Sequence, residues 1–313
     1  MNEGVDGGED VRAHDPSMIK GGETYYVFSR GDVMGRKGGG SVQIRASTDL
    51  RNWRYAGATF DTIPTWVTAS IGPILNLWAP DIAYVDGLYR LYYAGSHFGT
   101  THSVIGLATN TTLDIANDDY KWIDQGLVIQ SRPSDDWNAI DPNLVIDGEG
   151  QAWLTFGSFW SGIKLLRLDR TTGKPSRTDQ MVHALACRPG SGAVESPCII
   201  HRDGFYYLFV SFDACCKGVD STYRIMVGRS RSVIGPYLDR TGVAMTDGGG
   251  TVVLAGYDHC RGPGGQSVLR VDSVEFLVHH YYDARVGGDV RLQVRDLTWT
   301  PDGWPCAGSP YVP

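Results

Sequence analysis

Four acidic residues, Asp15, Asp81, Asp141 and Glu195, open similar stretches of this chain. Each precedes a short apolar run. Carboxyl groups gathered at one place suit the hydrolysis of glycosidic bonds. One donates a proton to the departing oxygen, and another activates water or attacks the sugar. The donor needs a pKa raised by apolar or negative surroundings, whereas the base must stay ionised, so a third carboxylate is a sensible modulator. For a single acid, capping a turn would be explanation enough; it is the repetition that points to chemistry. Other catalytic patterns are missing from the sequence. It has no GxSxG elbow, no HExxH and no phosphate-cradling GxxxxGK[ST], and the glycine runs Gly38–Gly40 and Gly248–Gly250 read as loops.

The elements that must position these acids are repeated. Five segments align: DPSMIKGGETYYVFSRG from Asp15, PDIAYVDGLYRLYYAGSHFG from Pro80, DPNLVIDGEGQAWLTFGSFWSG from Asp141, ESPCIIHRDGFYYLFVSFD from Glu195 and GQSVLRVDSVEFLVHHYYD from Gly265. Each holds an apolar strand, a turn with Gly, Asp or Ser, and a second strand dense in aromatic residues. A third strand follows in every unit, as in SVQIRAST from Ser41 and YRIMVGRS from Tyr223, and stretches such as KWIDQGLVIQ and PYLDRTGVAM supply a fourth. Repeats of this size predict four-stranded blades around a channel, hence an all-β, five-bladed β-propeller. The expected blades span 11–60, 76–130, 137–185, 190–250 and 260–310 of one catalytic domain, 1–313. First strands line the channel of a propeller, so Asp15, Asp81, Asp141 and Glu195 are expected near one shared pocket.

Composition narrows the partners. With 313 residues and 42% hydrophobic content, the chain can bury substantial cores and is expected to act as a monomer. A net charge of −7 argues against nucleic acid or an anionic membrane, which favours a neutral substrate. No apolar run is long enough for a membrane-spanning helix, and the opening MNEGVDGGEDVRAHDP shows no export signal. The six cysteines lack paired CxxC spacing and read as structural thiols or disulfides, with Cys215 and Cys216 either two ordinary thiols or a vicinal disulfide. Asn110-Thr111-Thr112 fits a glycosylation acceptor.

The ordered series HDPS at Asp15, WAPDI at Trp78 to Ile82, AIDPNL at Asp141, GSFWSGI at Gly157 to Ile163, VESP at Glu195 and STYRIMVGRS from Ser221 resembles glycoside hydrolase family 43, and within it the arabinanases. The resemblance implies cleavage of α-1,5-linked arabinan with inversion. Asp15 would be the general base, Glu195 the general acid, and Asp141 the modulator of the acid. The base and acid of an inverting enzyme stand roughly 6.5–9.5 Å apart to admit water. The resemblance also places Trp78, Phe98, Ser158 and Trp160 against substrate, where aromatic faces suit sugar C–H faces. His14 is a further candidate within the site. The chemistry needs no cofactor. Many arabinanases hold a structural cation in the channel with a His of a GPGH segment; here the stretch is GPGGQSV, with Gly265 at that position, so this ligand is lost. His259 or His280 are the candidates to replace it, and backbone carbonyls could hold a hydrated ion.

Export is expected because the implied substrate, arabinan and its oligosaccharides, is polymeric. The expected action is endo, through an open groove. An exo-acting enzyme would need a wall, which the loops 30–41 and 59–76 could build. An arabinofuranosidase or β-xylosidase of the same fold and a non-catalytic sugar-binding propeller are the further alternatives.

Overall fold

Two-residue turns drive the local structure. In the computed structural model, which describes residues 11–312, Val85 pairs with Leu88 across Asp86-Gly87, and Arg202 with Phe205 across Asp203-Gly204. All four turn residues have positive φ, the geometry that matches strand twist and that Asp-Gly adopts readily. The opening residues 1–10 lie outside the described residues.

Among the described residues, twenty strands form five antiparallel sheets, each in simple chain order. The first comprises β1 (Ser17–Gly21), β2 (Thr24–Ser29), β3 (Gln43–Ser47) and β4 (Arg54–Ala58), and the second β5 (Trp78–Val85), β6 (Leu88–Gly95), β7 (Ser103–Asn110) and β8 (Ile123–Ser131). The third holds β9 (Asn143–Ile146), β10 (Ala152–Phe156), β11 (Ile163–Leu168) and β12 (Val182–Ala186). The fourth holds β13 (Val194–Arg202), β14 (Phe205–Phe212), β15 (Arg224–Ser230) and β16 (Thr251–Leu254). The last is β17 (Cys260–Val271), β18 (Val274–Asp283), β19 (Asp289–Trp299) and β20 (Pro305–Pro310).

Side-chain alternation explains why the second strands are so aromatic. β14 sends Leu208, Val210 and Phe212 into a core shared with the third sheet, and Tyr207 and Phe209 into one shared with the fifth. Both faces are buried, so both must be apolar. The same holds around the circle, with five cores between five neighbouring pairs of sheets. The one that joins first to last packs Met18, Val27 and Trp53 against Phe276, Val278 and Leu292. Its existence closes the ring, and the protein is a five-bladed β-propeller. Each fully buried Leu, Phe or Val there contributes about 1.5–3 kcal/mol of transfer free energy.

Three local expectations change. The fourth strand of the fourth blade is β16, whereas PYLDRTGVAM folds as a loop. Asp239 accepts hydrogen bonds from the backbone N–H groups of Thr241, Val243 and Gly250, which curls that segment on itself. The long loop 59–76 contains a short helix, α1 (Thr65–Ile71), whose Val67 and Ile71 enter the core between the first two blades. Asn110 is buried and its side-chain nitrogen is enclosed by protein, so it does not fit as a glycan acceptor.

Candidate active site

Five tripeptides line a small cavity on the propeller axis: Asp15-Pro16-Ser17, Ala79-Pro80-Asp81, Asp141-Pro142-Asn143, Ser196-Pro197-Cys198 and Gly265-Gln266-Ser267. Proline carries no N–H and breaks the strand ladder. Thus β1 and β9 start just after Pro16 and Pro142, while the pairing of β5 and β13 shifts register around Pro80 and Pro197. Asp15, Asp141, Ser196 and Gly265 all have φ between 51° and 58° at this break.

The tripeptides correct the sequence alignment by one or two residues. Asp15 and Asp141 are equivalent, but Asp81 stands two places later, and Glu195 one place before the equivalent Ser196. Asp81 is consumed by structure. Its carboxylate accepts bonds from Ser17 Oγ (3.1 Å), Asn143 Nδ2 (3.2 Å) and the Leu144 N–H (2.8 Å), tying the first three blades together. Glu195 instead pairs with Ser211 ahead of the break and lines a wider cleft of about 720 Å³ above the axis.

Asp15 and Glu195 have opposite surroundings. His14 Nδ1 donates to Asp15 Oδ2 at 2.7 Å, and His14 Nε2 donates at 2.8 Å to Tyr282 Oη, which also accepts from the Cys216 N–H. Burial alone would raise the Asp15 carboxyl. The charge and hydrogen bond of His14, with help from Arg30, outweigh it and hold Asp15 well below the ordinary range. Reciprocally, burial works against a charge on His14, but Asp15 and the Cys216 sulfur raise it to about 9. Glu195 has no such counter-ion in contact. Burial dominates and, with the negative charge of Asp15 adding to it, pushes Glu195 up to about 7 despite the Ser158 Oγ–H donated to its Oε2 at 2.6 Å. Asp141 is likewise raised by burial and by the charges of Glu195 and Asp15. Its Oδ2 accepts the Ser196 N–H at 3.0 Å, so it grips the backbone next to Glu195.

The cleft brings together Trp78, Phe98, Ser158 and Trp160 with Glu195. Trp78 is half-buried beneath the Arg30 guanidinium, 4.7 Å from its ring, whereas Phe98 and Trp160 are 81% and 42% exposed and stand along the opening. His97 Nε2 donates to Ile71 O at the end of α1 (2.7 Å), which fixes the turn carrying Phe98. Arg30 of 30–41 covers Trp78 at the cleft, whereas the other residues of 30–41 and those of 59–76 are not part of its lining.

His280 and Tyr282 were not singled out for roles beside the acids. Their signal was the period-two pattern of HHYYD in β18, which turns both toward His14. His280 also bears on which side chains could hold a channel cation. A Cβ on Gly265 would lie 2.5 Å from Asp15 Oδ1 and 2.6 Å from His280 Nδ1, so the His280 ring fills the space a side chain at 265 would use. Its Nδ1 accepts the Asp15 N–H at 3.1 Å, which leaves the proton on Nε2 and no lone pair for a metal. Both nitrogens of His14 are committed too, and His259 lies against Tyr281 in a different cavity. The histidines present do not fit as cation ligands.

Comparison with known proteins agrees with this geometry. The sequence profile of Glycosyl hydrolases family 43 matches residues 10–305. The chain belongs to that family and is a glycosidase. It is 44% identical to an extracellular endo-α-(1→5)-L-arabinanase of Bacillus subtilis, over 96% of this chain and 88% of that one. It is 40% identical to an extracellular exo-α-(1→5)-L-arabinofuranosidase of Cellvibrio japonicus, over 96% and 87%. Among solved structures, an α-L-arabinanase of Cellvibrio cellulosa complexed with arabinohexaose superposes with a TM-score of 0.89 at 41% identity, over 95% of each chain.

Proposed function

We propose that this protein is an extracellular, endo-acting arabinanase that cleaves α-1,5-L-arabinofuranosidic bonds with inversion. The observation that carries the reading is the split between two carboxyl groups of one site, one partly exposed and one buried. Asp15 is held ionised by the His14 imidazolium, and Glu195 keeps its proton near neutrality. That is the division of labour an inverting hydrolysis requires.

In the reaction, Glu195 gives its proton to the departing glycosidic oxygen as the bond to the anomeric carbon lengthens. Asp15 takes a proton from the water that attacks the opposite face. His14 keeps its two donated hydrogen bonds throughout, so Asp15 is oriented while it acts as base. Asp141 is a positioning residue. It anchors the Ser196 backbone and, when ionised, opposes loss of the Glu195 proton. Each step belongs to a side chain of this chain.

Trp78, Phe98 and Trp160 offer apolar faces to arabinofuranose rings, and Ser158 holds the acid in place. Apart from Arg30 over Trp78, the loops 30–41 and 59–76 do not line the cleft, which favours internal cutting of a polymer. The extracellular names of the Bacillus and Cellvibrio relatives support export.

Linear α-1,5-arabinan tests the proposal. Oligosaccharides of mixed length are expected early in the digest, with the newly formed reducing ends in the β configuration by proton NMR. One uniform short product from the outset would overturn endo action, and α-configured ends would overturn inversion.

A further inference from the structure

The loop between β14 and β15 places two adjacent thiols beside the cleft, one of them on its wall. Cys215 lines it beside Glu195, and Cys215 Sγ lies 2.8 Å from Cys216 Sγ, well inside ordinary contact between two sulfur atoms. The loop is pinned on both sides of the pair. The Ala214 N–H is bonded to Thr222 Oγ1, the Cys216 N–H to Tyr282 Oη, and the Lys217 N–H to Ser221 Oγ. Cys216 is held at φ 62°, a left-handed conformation uncommon outside glycine and a mark of functional or constrained positions. His14 Nε2 is 3.7 Å from Cys216 Sγ, but with its two nitrogens donated to Asp15 and Tyr282 it offers no lone pair with which to join the sulfurs around a soft metal.

We propose that Cys215 and Cys216 are a redox modification site, closing into a disulfide between neighbouring residues when they meet a low-molecular-weight disulfide such as that of glutathione. Cys216 is the attacking group. The hydrogen bond from the Cys215 thiol, reinforced by the charge of His14, holds it below the usual thiol range as a thiolate. It displaces one thiolate from the small disulfide and becomes a mixed disulfide. The Cys215 sulfur then loses its proton to water and attacks Cys216, expelling the second small thiolate. Two protein thiols are oxidised by two electrons, and one small disulfide is reduced to two thiols.

Closure replaces a thiolate facing the His14–Asp15 pair with an uncharged sulfur surface on the cleft beside Glu195. An oxidising extracellular setting favours it. Adjacent Cα atoms are about 3.8 Å apart, shorter than the roughly 4.4–6.8 Å of most disulfides, so the bond opens with mild reductant.

The test is alkylation of the intact chain after equilibration with glutathione disulfide, followed by removal of the oxidant, denaturation in iodoacetamide and peptide mass mapping. The fragment carrying Cys215 and Cys216 is expected to be two hydrogens light, to lack both carbamidomethyl groups, and to gain them only after reduction. Exposed Cys306 reports how much thiol the reagent reaches in the same sample. In Cys216→Ser, Cys215 is expected to appear alkylated or carrying glutathione. Alkylation of both cysteines in the oxidised wild-type chain, or a stable glutathione adduct on either, would overturn the proposal. These masses are read without any assay of hydrolysis, so the fate of the arabinanase reading does not affect them.

Discussion

Asp15, partly buried, and Glu195, buried, leave neighbouring points on the propeller axis, yet their pKa values are pushed in opposite directions. The Asp15 corner is ringed by nitrogen: His14 donates to the carboxylate, His280 accepts its backbone N–H, and Arg30 adds positive charge. The Glu195 corner offers one hydroxyl, that of Ser158. Burial penalises charge in both places. Asp15, with a cation in contact, has its pKa lowered, and Glu195, without one, has it raised; in the proposed reaction that difference assigns the base and the acid.

The largest way to break this comparison is to remove a partner in proton transfer. Glu195→Gln and Asp15→Asn are each expected to lower kcat/KM on linear arabinan by about 10²–10⁴, with an unchanged circular dichroism spectrum. Near-normal turnover by either variant would end the assignment.

His14→Gln sharpens it. The imidazolium lowers the Asp15 pKa, so its loss lets that pKa rise, and the acid limb of kcat/KM against pH should move upward by at least about one unit, or about 1.4 kcal/mol. An acid limb that stays in place would mean that His14 does not control the base.

The smallest effect concerns Ser158→Ala. The Ser158 hydroxyl stabilises ionised Glu195, and its removal should carry the alkaline limb, expected near pH 7 in the parent protein, upward by a fraction of a unit. A downward movement would contradict the placement of the acid.

The five-fold echo of strand, turn and aromatic strand was readable along the chain because each blade has the same local problem of burying both faces of its middle strands. The acids at the blade openings were equally visible. Their register was not. Asp81 looked like Asp15 in sequence, but Pro80 precedes it and Pro16 follows Asp15, so the ladder breaks on opposite sides of the two acids and Asp81 becomes a buried tie between blades. PYLDRTGVAM misled for a related reason, since Asp239 bonds local backbone more readily than a fourth strand could form.

Sequence alone therefore determined the repeat, the turns and the presence of acids at the blade openings, since these follow from side-chain period and turn chemistry within some twenty residues, while the resemblance to family 43 singled out three of them. Tertiary structure decided the surroundings of each acid. The groups that set its charge arrive from far along the chain, as when His280 meets Asp15 across 265 positions and fills the space left by Gly265. Electrostatic energy depends on distance through space and on exclusion of water, and ring closure sets both.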